Sequence, residues 1–184
     1  MAVRNVKLTI TYDGSDYHGW QNQPGKRTIQ GTITEAIEKL LGCEVKVSGA
    51  SRTDAGVSAL GQAAVIQIDS PVPTENLAKA ITDRLPPDVA VTEAVEVHSN
   101  FDVTASVKSK LYRYTIHTGK HRPVMQIRHR WHLPAELDVN AMNKAAMFLT
   151  GKKDFKSFAS ADDKRENSVR TIFQCKVSSE KVRH

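Results

Sequence analysis

Residues 6–12 alternate apolar and polar side chains and stop at Asp13-Gly14, the two-residue period of a half-buried strand closed by a turn. A polar loop continues to Arg27. Ile29, Ile33, Ile37, Leu40 and Leu41 then recur at helical spacing, with Thr28 placed to cap the start and Gly42 to close the end, so a first helix is predicted between them. Residues 43–47 and 62–68 read as two strands flanking an unusual loop, residues 49–61. Thr74 opens a second helix that presents Leu77, Ile81 and Leu85 to the core and stops at Pro86-Pro87, because proline lacks the backbone donor a helix needs. Residues 89–97 alternate again as a strand. The order β-α-β-β-α-β is that of a ferredoxin-like unit, an antiparallel sheet with helices on one face, an architecture many RNA-binding modules use.

A second pass predicts a strand over 111–118, a helix from Asp138 as N-cap through Met142, Ala146 and Leu149 to Gly151, and a strand over 169–177. The chain is therefore expected to be of the α+β class, with an N-terminal ferredoxin-like half over residues 1–102 and a partial second half over 103–184. If the second half repeats the first, it supplies β-α-β and lacks roughly a third of the full two-half domain, which points to C-terminal truncation. The alternative is a small β-α-β extension that completes the first sheet. Residues 162–167 read as charged loop.

Charge sharpens the picture. The formal net charge is +6, but residues 103–135 contain no Asp or Glu and hold Lys108, Lys110, Arg113, Lys120, Arg122, Arg128 and Arg130, so this window carries +7 and the rest of the chain −1. Tyr112, Tyr114 and Trp131 are interleaved with those cations. Concentrated basicity with aromatic interleaving favours nucleic-acid contact over an evenly solvated face. Two cysteines, Cys43 and Cys175, far apart, suggest neither a disulfide framework nor a zinc motif. No window approaches a membrane span and the first ten residues lack a signal-peptide pattern, so a soluble, cytoplasmic protein is expected.

Chemistry is expected in the loop at 49–61. It combines three glycines with Arg52 and Asp54, two residues apart, and few bulky side chains, so the backbone can approach a ligand closely. A carboxylate there can act as nucleophile or base, with Arg52 keeping it ionised and also contacting a phosphate. The competing reading is an Asx-type turn with a local ion pair. His117, His121, His129 and His132 fall on a strand and loops without Cys or carboxylate neighbours, so no metal site is expected. His18, beside Trp20, reads as a substrate-facing or packing residue.

The longer string Ser51-Arg52-Thr53-Asp54-Ala55-Gly56-Val57, followed by Ala59-Leu60-Gly61-Gln62, resembles the signature of the TruA family of pseudouridine synthases. Tyr12-Asp13-Gly14 with Tyr17, Gly19-Trp20-Gln21 and Gln23 resembles that family's opening segment, and Ile29-Gln30 its first helix start. Leu111-Tyr112-Arg113-Tyr114 resembles its second-half strand, and Phe155-Lys156-Ser157-Phe158 and Arg170-Thr171-Ile172 also fit, so the similarity covers nearly the whole chain. The resemblance implies a pseudouridine-synthase-like fold of two ferredoxin-like (RRM-like) βαββαβ halves with antiparallel sheets, the second incomplete here. It implies isomerisation of uridine in the anticodon stem-loop of tRNA without a cofactor, by a homodimer. It also implies Asp54 as the catalytic aspartate, Arg52 as its supporting arginine and Tyr112 as the residue that stacks on the target base.

Arg113, Arg122 and Arg128 are added as candidate substrate-binding residues from the basic window. Ser51 stands where the family often has Gly, Ser58 where it often has His, and Thr104 where Arg is common. A later Met-Val-Arg segment of the family has no counterpart in this chain. Two rival readings are open to the same residues: a non-catalytic RNA-binding module, and a catalytically inactive synthase fragment.

Overall fold

The computed structural model describes residues 3–160 and 166–180. The chain falls into two compact units, Met1–Tyr112 and Arg113–His184. The first contains β1 (Arg4–Tyr12), α1 (Ile29–Leu41), β2 (Val47–Gly49), β3 (Ala59–Ile68), α2 (Thr74–Thr82) and β4 (Val89–Val97). Its four strands form one antiparallel sheet in the order β2-β3-β1-β4, the ferredoxin-like arrangement expected from the element order.

Alternation does the sorting. Val6, Leu8, Ile10 and Tyr12 of β1 are buried, as are Ala64, Ile66 and Ile68 of β3, and they meet Ile29, Ile33 and Ile37 of α1 and Leu77 and Ile81 of α2. Burying each such aliphatic side chain contributes about 1.5–3 kcal/mol, so this face fixes the strand register. Thr28 caps α1 by accepting from the Gly31 amide, and Gly42, at φ 70°, ends it in the left-handed conformation.

The boundaries differ from expectation in three places in this unit. The strand expected over 43–47 forms instead at Val47–Gly49, because the Val45 amide donates to the Glu38 carboxylate and is spent before the sheet begins. The third strand starts earlier than expected, at Ala59. Helix α2 stops at Thr82, short of the prolines, and residues 83–85 continue as turns. Register shifts in β1, between Thr9 and Ile10 against β4 and between Ile10 and Tyr12 against β3, bend the strand at its C-terminal end.

The second unit contains β5 (Ile116–Thr118), β6 (Trp131–Leu133), α3 (Val139–Met147), β7 (Gly151–Asp154) and β8 (Val169–Ile172), with short 3-10 turns at Val124–Gln126 and Lys156–Phe158. Strands β5 and β6 pair in parallel, and β7 and β8 antiparallel. The strand expected over 111–118 shrinks to its last three residues, since residues 111–115 are exposed and a strand needs a neighbour to satisfy its backbone. The strand expected over 169–177 is likewise limited by the four residues of β7. Val177 is held instead by a two-point bracket, its amide donating to Asn143 Oδ1 at 2.9 Å and its carbonyl accepting from Asn143 Nδ2 at 2.8 Å. Asp138 caps α3 as expected, accepting from the Ala141 amide. Among the described residues of this unit Ala146 alone is buried, while Met125, Phe148, Phe158 and Phe173 are exposed. Of the charged loop expected at 162–167, residues 162–165 lie outside the described residues.

Candidate active site

Asp54 lies on the connection between β2 and β3, and that connection is pinned along its length. The Ala50 amide donates to the Ala63 carbonyl at 2.8 Å. The buried Gln62 side chain donates to the Ser51 carbonyl and accepts from the Ser51 hydroxyl. Thr53 is held twice, its hydroxyl 2.9 Å from the Tyr12 hydroxyl and its carbonyl accepting from the Trp20 amide at 3.0 Å. The Gly56 amide donates to the Tyr17 carbonyl at 3.2 Å.

The Val57 amide donates to the Asp54 carbonyl at 3.2 Å and Gly56 has φ 80°, so residues 54–57 form a β-turn whose third position needs a left-handed residue. This turn is made by backbone. The Asp54 carboxylate and the Arg52 guanidinium are exposed, and neither has a hydrogen-bond or ion-pair partner among the described residues. The Asx bond and the local ion pair of the competing reading are therefore not formed.

The opposing wall is the loop between β1 and α1. Gly14 approaches so closely that a Cβ there would lie 2.0 Å from the Val57 carbonyl oxygen, and its amide donates to the Ser58 hydroxyl at 3.0 Å. Gly19, at φ 84°, leaves room for the Thr53 carbonyl, which a Cβ would approach to 2.6 Å. Trp20, 2% exposed, packs with its ring centroid 6.3 Å from that of Tyr12. Burial raises the Tyr12 pKa above its ordinary value, partly offset by the bond to Thr53.

A polar cluster anchors this wall from behind. The Tyr17 hydroxyl donates to Asp88 Oδ1 at 2.7 Å, and Arg27 Nη2 donates to both the Tyr17 oxygen and Asp88 Oδ2 at 2.9 Å while its guanidinium lies 4.1 Å from the Tyr17 ring centroid. Burial first, and then the Asp88 carboxylate, push the Tyr17 hydroxyl well above its ordinary pKa of 10.0. A raised folded-state pKa gives stability that is fully present below pH 10 and is lost as pH climbs toward the folded value. Thermal melts between pH 9 and 11 should thus show a steeper loss for the parent chain than for Tyr17→Phe; equal slopes would remove Tyr17 as the alkaline weak point. Arg27 and Asp88 were not singled out from the sequence. Their one local signal is position, before the helix cap and after the proline pair.

Tyr112, 74% exposed, ends the first unit, and Arg113, Arg122 and Arg128 lie exposed in the second. His117 and His132 face each other across β5 and β6 with ring centroids 6.0 Å apart, and His132 Nε2 lies 2.8 Å from the Gly119 carbonyl. Among the described residues no three His, Cys, Asp or Glu side chains gather as metal ligands would. No helix among them is long and apolar enough to cross a membrane.

Comparison with known proteins places residues 8–104 within a sequence profile described as tRNA pseudouridine synthase. The chain is 42% identical over 178 residues to a tRNA pseudouridine synthase A of Caldicellulosiruptor saccharolyticus, the match covering 97% of this chain and 73% of that protein. It is 41% identical over 179 residues to the protein of the same name from Acetivibrio thermocellus, covering 97% and 73%. With that of Thermotoga neapolitana it shares 40% identity over 180 residues, covering 96% and 72%.

Proposed function

Because this chain belongs to the tRNA pseudouridine synthases, a family of isomerases with this α+β fold, we propose that it isomerises uridine in the anticodon stem-loop of tRNA with Asp54 as its catalytic carboxylate. The observation that carries the reading is the unspent carboxylate of Asp54, exposed on a turn whose backbone is pinned at Ser51, Thr53 and Gly56. The backbone that carries this group is held in place and the group itself is not neutralised by a neighbour, so it is available as a nucleophile or base.

The reaction breaks the bond between C1′ and N1, turns the uracil while it stays bound, and joins C1′ to C5. The C5 proton leaves and N1 gains one, so no electrons are exchanged and no cofactor is consumed. Attack on C1′, addition to the base and removal of a C2′ proton all need an ionised carboxylate, and Asp54 serves any of them. A uridine in a stem must leave its stack, at a cost of a few kcal/mol, and an aromatic face and basic groove offset that cost. Tyr112 is the stacking residue in this reading, Arg52 supports Asp54, and Arg113, Arg122 and Arg128 contact phosphates. The enzyme acts as a homodimer in the cytoplasm, which sizing at several protein concentrations tests for the assembly.

The direct assay uses unmodified tRNA carrying tritium at uridine C5, because forming the new bond releases that tritium to water. Release that tracks added chain is expected. A folded chain that binds tRNA and releases none would favour a pure binding role.

A further inference from the structure

A cleft of about 610 Å³ opens in the first unit beside the Asp54 loop, between the N-terminal half of α1 and the segment leading into β2. That volume lies within the roughly 300–1,000 Å³ of sites for small ligands. Its walls are tied together by one side chain. Gln30 Oε1 accepts from Gln21 Nε2 and from the Asn22 amide, both at 2.9 Å, while Gln30 Nε2 donates to the Val47 carbonyl at 2.9 Å. The cleft is thus built before any ligand arrives, which lowers the ordering cost of binding.

Thr34 and Ser51 spend their hydroxyls on Gln30 and Gln62, but three other polar side chains of the lining are donors left open. Lys46, Ser48 and Arg52 line the cleft, and none of these three side chains has a hydrogen-bond or ion-pair partner among the described residues. None of the described residues lining it is acidic. Two unneutralised cations and a hydroxyl around a preformed, acid-free cleft suit a phosphodiester.

We propose that this cleft holds a backbone phosphate of the RNA strand next to the target uridine, with Lys46 and Arg52 as its cations. This rests on the synthase reading, since Arg52 belongs to both the cleft and the loop that presents Asp54. The strand would then be gripped two residues from the carboxylate in sequence, which positions the flipped nucleotide independently of the basic window at 103–135.

The test measures affinity of the chain for unmodified tRNA across a potassium chloride series. Lys46→Glu is expected to weaken binding about tenfold and to reduce the salt slope by about one, with Lys46→Gln intermediate and Lys46→Arg near the parent. Lys39→Glu, an equal charge change on the last turn of α1 outside the cleft, is the control and should match the parent. Lys46→Glu indistinguishable from Lys39→Glu overturns the cleft, whatever the tritium assay says of the synthase reading. A parent chain that binds no tRNA at any salt overturns both.

Discussion

Asp54→Asn is expected to reduce tritium release at least about a thousandfold while leaving folding and tRNA affinity near those of the parent. The substitution keeps the size and shape of the side chain and removes its charge. The turn at 54–57 survives, because it is closed by the Asp54 carbonyl and not by the carboxylate. The carboxylate has no partner to lose among the described residues and is exposed, so the stability change should stay within about 0.5 kcal/mol. The separation of turnover from binding is what identifies a catalytic group rather than a structural one. Turnover within tenfold of the parent, in a variant that melts normally, would sink the assignment.

Gly14→Ala should be the most damaging small substitution in the first unit. A methyl group there would sit 2.0 Å from the Val57 carbonyl oxygen and 2.5 Å from its carbon, and both atoms are backbone, so no rotamer change relieves the overlap. One of the two loops must move. Overpacking of this kind costs about 1–3 kcal/mol where the surroundings yield, and more where they do not. Here the partner loop is held by the bonds at Thr53 and Gly56, so a loss near the upper end is expected in denaturant melts. Relief of the clash by loop separation would also lower turnover more than it lowers tRNA affinity. Gly25→Ala is the contrast: nothing lies within 4 Å of its Cβ position, and its cost is confined to the left-handed φ of 71°. Equal destabilisation of the two variants would refute close approach as the reason for glycine at 14.

The periodic elements of the first unit were legible because the information is local. Alternation at 6–12 and 89–97 and the spacing of Ile29, Ile33 and Ile37 specify strand and helix by which face is apolar, and the observed β1, β4 and α1 follow. The Thr28 and Gly42 caps were equally legible, since each acts on its own chain terminus. Where pattern and fold differ, at residues 43–46 and 111–115, the apolar spacing is present but a strand partner is not, and pairing is decided by residues distant in sequence. The second unit shows the same limit twice over, with two small sheets in place of the single repeated one.

By itself the sequence determined the β-α-β-β-α-β order, the concentration of cations in residues 103–135, and the motif that singles out Arg52 and Asp54. Only the tertiary structure decided that the Asp54 carboxylate is left unspent, that Gly14 and Gly19 are present for close backbone approach, and that Tyr17 is anchored to Asp88, 71 residues away. The physical reason is that helical and strand periods arise between neighbours in the chain. Whether a carboxylate is paired, or a glycine is crowded, depends on which distant atoms the folded core brings beside it.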